Sequence, residues 1–423
     1  MTRFSGSKFA TALQPRSVAK YVAQLIIVGA GYFVLAKAAL TLASIYTSAV
    51  PIWPPAGFAL AAVLVCGLRV WPAIFAAAFV AGTPAEIPDA SAADWILPAL
   101  GVATASTIGA LVGGYLIKVW SQGRTTFDTP TGVAKFALVA LASTLIGALV
   151  GVGSFYLAGY LDWDSLAALS AAWWLRDAAG AFVVAPAAVL WAIGSFRAFD
   201  VDNALSSSLA IVAAIFVGLI AFSPLFEESA LRSALAFLAA LPLLWAALRC
   251  GERDTATTVL ILSCFAIWGA LAGGGPFAVS NDGFLLLAVF MISISAVSLA
   301  LSAYVSNRKR AEIKLRHQEQ ILRAMFSQSV VGVAQVDTTG RFALVNNRFC
   351  GVVRRAAPEL LQMRIQDLTD PDDLPHLANL IRHAIRTGEG FTLESRHVMP
   401  DGSRRWMRNN VSAIADYSGA VRH

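Results

Sequence analysis

The chain has 423 residues, of which 57% are hydrophobic and only 14% are charged. Soluble globular proteins carry roughly 25% charged residues, so this composition excludes a chain that folds entirely in water. Because 18 of the 32 Lys and Arg residues lie beyond residue 305, we predict a tail over residues 1–20, a membrane domain over residues 21–305 and a soluble domain after it. The net charge of +6 comes from basic residues beside apolar segments, which argues against a nucleic-acid partner.

Apolar segments that can cross a bilayer recur through residues 21–305, since a spanning helix needs about 20 apolar residues. Eight segments are predicted to span: Tyr21–Thr47, Ile96–Trp120, Val133–Gly159, Leu166–Ile193, Ser207–Ser223, Ser233–Leu248, Thr255–Leu271 and Gly283–Val305. A further region, Ala56–Gly82, is interrupted around Gly67 and Pro72, so it is predicted to form two short tilted spans or a re-entrant hairpin. The expected fold is a polytopic α-helical bundle of about eight spans plus a short-helix pair, or of ten spans.

Charged residues in the loops predict the orientation of this bundle. An even number of crossings puts both termini on one side, and loops rich in Lys and Arg are typical of the cytoplasmic side. The loops on the side of the termini hold Lys118, Arg124, Lys135, Arg197, Arg249, Arg253 and Arg308–Arg310. The opposite loops, in which Arg232 is the exception, hold Glu86, Asp89, Asp94, Asp162, Asp164, Glu227, Glu228 and Asp282. We therefore expect both termini in the cytoplasm.

Three ionisable residues lie well inside predicted spans, away from the span ends: Lys37 in the first span, and Arg176 and Asp177 in Leu166–Ile193. Such groups are costly at membrane depth and usually face the interior of a bundle, which makes them candidates for ligand binding or signal transmission. If these residues have only a structural role, Lys37 extends to the outer interface of the membrane and Arg176 pairs with a group on another helix. A direct Arg176–Asp177 pair is not expected, because adjacent helix positions do not face each other.

Two strings in the membrane domain combine Trp, Pro and Gly. The first holds Trp53, Pro54, Pro55 and Gly57, followed by a turn with Gly67, Arg69, Trp71 and Pro72. The second holds Trp173, Trp174, Arg176, Asp177, Gly180 and Pro186. Proline is tolerated in a first helical turn, glycine lets helices approach closely, and a proline inside a helix kinks it. The Trp residues by themselves are also typical of an aromatic belt at the membrane interface.

In this order, the two strings resemble the membrane-associated sensor family known as MASE, in its first-described type. The resemblance covers about residues 20–305. It implies a bacterial inner-membrane input domain that is joined to a histidine kinase or a diguanylate cyclase, and it implies no particular ligand. The candidate ligand or signal residues are Lys37, Trp53, Pro54, Pro55, Gly57, Arg69, Trp71, Trp174, Arg176, Asp177, Gly180 and Pro186.

A helical connector over residues 306–326 is predicted to join the two domains. Positions in a 3-4 spacing run through it: Leu301, Tyr304, Arg308, Ala311, Leu315, Gln318, Leu322 and Met325. This weak heptad favours a parallel dimeric coiled coil, and hence a homodimer. A single amphipathic helix that packs on the next domain is the alternative.

Residues 327–423 are predicted to form an α+β domain. Its predicted elements are the strands Val331–Val336 and Arg341–Asn346, the helices Asn347–Val353 and Asp372–Thr387, and the strands Phe391–Met399 and Arg404–Ala415. Asp401-Gly402 is a strong hairpin signal.

This domain resembles a PAS domain of the S-box type. The residues that carry the resemblance include Asn346, Asn347, Phe349, Asp372, Glu394, Arg396, Asp401, Gly402 and Trp406. The family continues past Asp416–Gly419 into a last strand and an exit motif, so the chain is expected to be a truncated form whose output domain is missing.

The sequence identifies no cofactor and no metal site. A covalent flavin is not expected, since Cys350 lies in the wrong helix for such a photosensor. Haem is not expected either, since His376 and His383 do not lie where the haem-binding relatives place their ligand. A small organic ligand of the PAS domain, or none, is expected. The four cysteines lack metal-ligand spacing, and no metal site is predicted.

No phosphate loop, kinase signature or nucleophile motif is found, so the chain as given is not expected to catalyse. We expect the input region of a sensor histidine kinase, with membrane lipids, an output domain or a response regulator as partners. The input region of a diguanylate cyclase or phosphodiesterase is the alternative. A transporter or channel is a further alternative, against which the appended PAS domain argues.

Overall fold

The computed structural model of the protein describes residues 15–46, 50–83, 92–121, 123–193, 201–225, 234–277 and 280–414. The chain forms two compact units, Met1–Lys309 and Arg310–His423. Of the loop charges that predict orientation, Glu86, Asp89, Arg197, Glu227, Glu228 and Arg232 lie outside the described residues.

The first unit is built from helices. They are α1 Pro15–Tyr46, α2 Pro54–Cys66, α3 Trp71–Gly82, α4 Ala92–Trp120, α5 Pro130–Leu157, α6 Trp163–Ile193, α7 Val201–Phe222, α8 Ala240–Arg249, α9 Glu252–Leu271 and α10 Asn281–Gln328. Short 3-10 turns cover Leu68–Val70, Gly123–Asp128 and Ala236–Ala239. Prolines lie in the first turns of α2, α3 and α5, where a backbone N–H would have no acceptor within the helix.

Seven of the described helices, namely α1, α4, α5, α6, α7, α9 and α10, are long and apolar enough to cross a membrane. This confirms the polytopic helical bundle. The predicted span Ser233–Leu248 is not one regular α-helix in the part of the chain that the structure describes. Its described part is helical at Ala234 and Leu235, forms the 3-10 turn Ala236–Ala239, and continues as the 10-residue α8. Pro242 cannot donate a backbone hydrogen bond, so α8 begins only just before it.

The interrupted region Ala56–Gly82 forms two short helices, α2 and α3. They separate at Gly67, whose φ of +90° suits a residue without Cβ. Near the start of α1, the Tyr21 hydroxyl donates to the Arg69 carbonyl, and further along, Lys37 Nζ donates to the Ala81 carbonyl at 3.3 Å. Helix α3 therefore runs beside α1 in the same direction.

Helix α6 is central and α1 is peripheral in this bundle. The spanning window of α6 is 56% buried inside the protein, against 22% for α1. Residues of α6 enter two apolar clusters, one with α7, α9 and α10 and one with α2 and α5. Large exposed apolar side chains, such as Ile26, Leu149 and Phe216, cover the outer surface of the helices, as lipid contact requires.

The second unit pairs its strands as two antiparallel hairpins. Its elements are β1 Ala334–Val336, β2 Phe342–Val345, α11 Asn347–Val353, α12 Ala357–Leu360, α13 Ile365–Leu368, α14 Leu374–Thr387, β3 Phe391–Val398 and β4 Arg404–Val411. The β3–β4 register runs from Phe391↔Val411 to Val398↔Arg404. Gly402 turns this hairpin with a φ of +76°, and the Ser403 amide donates to the Asp401 carboxylate.

The predicted order of strands and helices in this unit is confirmed, and the predicted boundaries are slightly too wide. The first strand begins at Ala334 rather than Val331, and the long helix begins at Leu374 rather than Asp372. The segment Asp416–Gly419 lies outside the described residues.

Candidate functional site

One of the closest backbone contacts of the membrane unit is the crossing of α2 and α6. The Trp53 amide donates to the Arg176 carbonyl at 3.1 Å. A Cβ on Gly57 would lie 2.1 Å from the Gly180 carbonyl oxygen, and a Cβ on Gly180 would lie 2.1 Å from the Trp53 carbonyl oxygen. Two backbones touch here without intervening side chains, so glycine is required on both helices.

The chain before α2 reaches this crossing as non-helical backbone. Pro51 and Ile52 are buried, and Arg176 Nη1 donates to the Val50 carbonyl at 3.4 Å. The Arg176 guanidinium also lies over the Trp173 ring, 5.9 Å from its centre. Because Arg176 lies near the middle of α6, the segment 50–53 enters the bundle, where buried protein groups satisfy its backbone.

Asp177 lies beside the crossing and is only 9% exposed. It lines a cavity of about 20 Å³ together with Ser106, Ser143 and Thr144, which is enough for about one water molecule. Among the described residues, Asp177 Oδ1 has no hydrogen-bond partner. A buried carboxylate among hydroxyl groups can exchange a proton or bind a small polar group.

Further along α6, Pro186 interrupts the hydrogen bonding of the helix. Proline cannot donate to the carbonyl four residues earlier, which is that of Phe182. The Ser295 hydroxyl of α10 donates to this carbonyl at 2.6 Å, and Ser295 is fully buried. The α6 segment that contains the proline is thus directly hydrogen-bonded to α10.

Lys37 lies in a different place from Asp177. It lines a groove of about 500 Å³ together with Ala81, Trp95, Pro98 and Tyr160, among others. Its ammonium group also lies 5.7 Å from the centre of the Phe33 ring. No pattern in the sequence indicates that these two charged candidates belong to separate cavities.

Three other candidates of the membrane unit lie away from the Asp177 cavity. Arg69 and Trp71 are exposed at the turn between α2 and α3. The Trp174 indole donates to the Leu141 carbonyl at 2.9 Å, which fixes α6 against α5. These contacts are structural, and nothing in them points to a ligand.

In the second unit, the Asn346 side chain forms hydrogen bonds to four backbone groups at the start of the domain. Its side-chain oxygen accepts from the Val333 and Phe349 amides, and its nitrogen donates to the Phe326 and Val331 carbonyls. Asn346 is buried and caps α11, which begins at Asn347. It therefore acts as a structural residue at the entry into the domain.

An acidic cluster before α14 holds Arg396 of β3. Arg396 Nη2 lies 2.9 Å from Asp373 Oδ1 and 3.4 Å from Asp372 Oδ2. The hydrogen bonds from Arg396 lower the pKa of Asp373 to about 2. The guanidinium also lies 5.7 Å from the centre of the Trp406 ring, and the Glu394 carboxylate lies 3.9 Å from Arg408. This network fixes α14 to the β3–β4 hairpin.

The matches to known families divide the chain after residue 309, where the structure also separates its two compact units. A family model named MASE1 matches residues 24–309, and a model described as PAS fold matches residues 326–423. The chain belongs to the MASE1 family. Its MASE1 domain and the PAS fold that follows make it a multi-pass membrane protein with a sensory input role in signalling.

A curated relative extends over both domains. It is the probable diguanylate cyclase DgcE of Escherichia coli (strain K12), with 24% identity over 405 residues, 93% of this chain and 35% of the relative. The chain thus spans about a third of the length of this relative.

Two solved structures are similar over the PAS fold. One is the PAS domain of an HTR-like protein from Haloarcula marismortui, with 23% identity, a TM-score of 0.24 and coverage of 27% of this chain and 93% of that one. The other is a domain of the sensory box sensor histidine kinase/response regulator from Geobacter sulfurreducens, with 22% identity, a TM-score of 0.22 and coverage of 26% and 92%.

Sequence reasoning missed several residues that line the candidate site around Asp177. Ser106, Ser143 and Thr144 surround Asp177, and the buried Tyr32 hydroxyl donates to Ser106 Oγ at 3.1 Å. Serine and threonine are common in membrane helices, so only their position beside a carboxylate distinguishes them. Among the described residues, no group of three or more His, Cys, Asp or Glu could hold a metal ion.

Proposed function

We propose that the MASE1 domain detects a stimulus at the α2–α6 crossing and passes it through α10 to an output domain beyond the PAS fold. The observation that supports this most directly is the Ser295–Phe182 hydrogen bond, which joins α6 to α10 beside Pro186. Helix α10 then continues without interruption to Gln328, inside the residues that match the PAS fold.

The crossing is suited to two packing states. At Gly57 and Gly180 the backbones of α2 and α6 touch directly, and the unpaired Asp177 oxygen beside them offers a group whose protonation or ligation favours one state. A change in α6 at Pro186 would alter the Ser295 contact and so shift or rotate α10. Packed helices respond by switching between discrete arrangements, which makes such a small displacement usable as a signal.

The output is a histidine kinase or a diguanylate cyclase. The relative named above is a probable diguanylate cyclase, but its identity of 24% and the 35% of it that this chain covers do not favour a cyclase over a kinase. The family resemblance implies either output, and we propose the histidine kinase first. Incubating membranes that contain the complete natural protein with labelled ATP or GTP distinguishes them, because a kinase becomes phosphorylated on histidine and a cyclase produces cyclic di-GMP.

The proposed location is the bacterial inner membrane with both termini in the cytoplasm. The basic side chains Lys118, Arg249 and Arg253 near helix ends support this orientation through the positive-inside rule. We also propose a homodimer through α10, where Ile313, Leu315, Leu322 and Met325 are exposed apolar residues.

Asp177→Asn in the complete protein tests the proposed site. We expect the output activity to lose its response to the stimulus, with unchanged membrane insertion. Asp164→Asn is the matched control, because Asp164 is an exposed carboxylate in the first turn of the same helix. An Asp177→Asn protein that responds like the wild type contradicts a role of this carboxylate.

A further inference from the structure

A groove separate from the Asp177 cavity opens beside the C-terminal parts of α1 and α3 and the N-terminal part of α4. It has a volume of about 500 Å³, within the range of about 300–1,000 Å³ typical of small-molecule sites. Its walls are mostly apolar, and its lining includes Lys37, Leu40, Trp95, Pro98, Phe155 and Tyr160. This combination of aromatic walls and a single cation is the composition of a ligand site.

The partners of Lys37 in the groove are weak ones. Its ammonium group donates to the Ala81 carbonyl at a long 3.3 Å and lies over the Phe33 ring. An ammonium group has three donors, and no carboxylate among the described residues forms an ion pair with it. A cation at membrane depth is costly unless it is paired, so an anionic group in the groove would be strongly favoured.

We propose that this groove binds an amphipathic monocarboxylate, with the carboxylate on Lys37 and the apolar body against Trp95, Phe155 and Leu40. One ammonium group matches one negative charge, whereas a dianionic phosphate would need further donors. The identification of this ligand as the stimulus rests on the proposed function, but its binding does not.

A row of ring contacts connects the groove with the α2–α6 crossing. The Phe155 ring, which lines the groove, lies 6.0 Å from the Trp173 ring. The Arg176 guanidinium also contacts Trp173, 5.9 Å from the centre of its ring, and donates to the Val50 carbonyl. A ligand that displaces Phe155 therefore acts on the segment that enters the crossing.

Binding of decanoate to the complete 423-residue chain in phosphatidylcholine nanodiscs tests the proposal. Calorimetry measures affinity, and a diazirine analogue of decanoate identifies the labelled residues by mass spectrometry. We expect saturable binding, labelling of the groove, and at least about tenfold weaker binding in Lys37→Met, since a hydrogen bond to a charged group is lost. Lys37→Arg should retain most of the affinity.

Two controls separate the charge effect from other causes. Lys118→Met removes an exposed lysine of α4 and should bind decanoate like the wild type. Decanol, which lacks the carboxylate, should bind equally to wild type and Lys37→Met. Decanoate binding that is absent, or equal in wild type and Lys37→Met, overturns the proposal. So does displacement of the label by phosphatidylglycerol nanodiscs, which would make an anionic lipid the occupant.

A failure of this proposal is distinguishable from a failure of the proposed function. The binding experiment needs no output domain, and the Asp177→Asn experiment needs no decanoate. If decanoate binds normally and Asp177→Asn responds like the wild type, the groove remains the proposed ligand site and the crossing is rejected as the signal site.

Discussion

Replacing Gly57 by alanine should open the α2–α6 crossing. The added Cβ would lie 2.1 Å from the Gly180 carbonyl oxygen and 2.8 Å from its carbonyl carbon. These are backbone atoms of a buried helix and cannot rotate away, so the helices must separate by roughly 1 Å to restore normal contact distances. Overpacking of this kind costs about 1–3 kcal/mol, and the hydrogen bond from Trp53 to Arg176 is strained as well. We expect a destabilisation of about 3 kcal/mol.

Reversible unfolding by SDS in mixed micelles, followed by circular dichroism, measures this effect. Gly153→Ala on α5 is the matched control, because no atom lies within 4 Å of an added Cβ at this position. Alanine is the better helix former by about 1 kcal/mol, so Gly153→Ala should be neutral or stabilising. If Gly57→Ala unfolds at the same SDS fraction as Gly153→Ala, the close backbone contact is refuted.

Three further predictions concern the second unit and the connector. Arg396 lowers the pKa of Asp373 to about 2 from the ordinary 3.8, so the stabilisation is complete above pH 3.8 and is lost as the pH falls toward 2. In Asp373→Asn, the free energy of unfolding of the PAS domain should therefore fall less steeply as the pH is lowered from 3.8 toward 2, measured by hydrogen exchange in the complete chain. The same fall in the variant and the wild type would contradict the ion pair. Asn346→Ala leaves the buried Phe349 amide and the partly buried Val333 amide without their acceptor, and it should destabilise the domain by about 1–3 kcal/mol in the same experiment. A loss below about 0.5 kcal/mol would rule out the role of this cap. Oxidation should cross-link Leu315→Cys across a dimer more efficiently than Lys314→Cys, and equal cross-linking of the two would exclude the predicted seam.

Local patterns in the sequence are sufficient to predict most helices and strands. Long apolar segments predict spans because a bilayer requires about 20 apolar residues, and the interruption at Gly67 marks the break between α2 and α3. In the soluble domain, alternating strands and the Asp401-Gly402 turn predict the β3–β4 hairpin. The predicted span Ser233–Leu248 is interrupted by the 3-10 turn Ala236–Ala239, which apolar composition alone does not reveal.

The site itself depends on contacts between distant parts of the chain. Glycine, proline and an aspartate suggest Gly57, Pro186 and Asp177 as candidates, but no local pattern pairs Gly57 with Gly180 or Pro186 with Ser295. Sequence determined which residues were unusual for a membrane helix, because the cost of a charge or a proline in a bilayer is a local property. Tertiary packing decided which of them meet, since helix–helix contacts in a membrane depend on the fit of small residues and on partners for freed backbone groups, and these are set only when the helices are assembled.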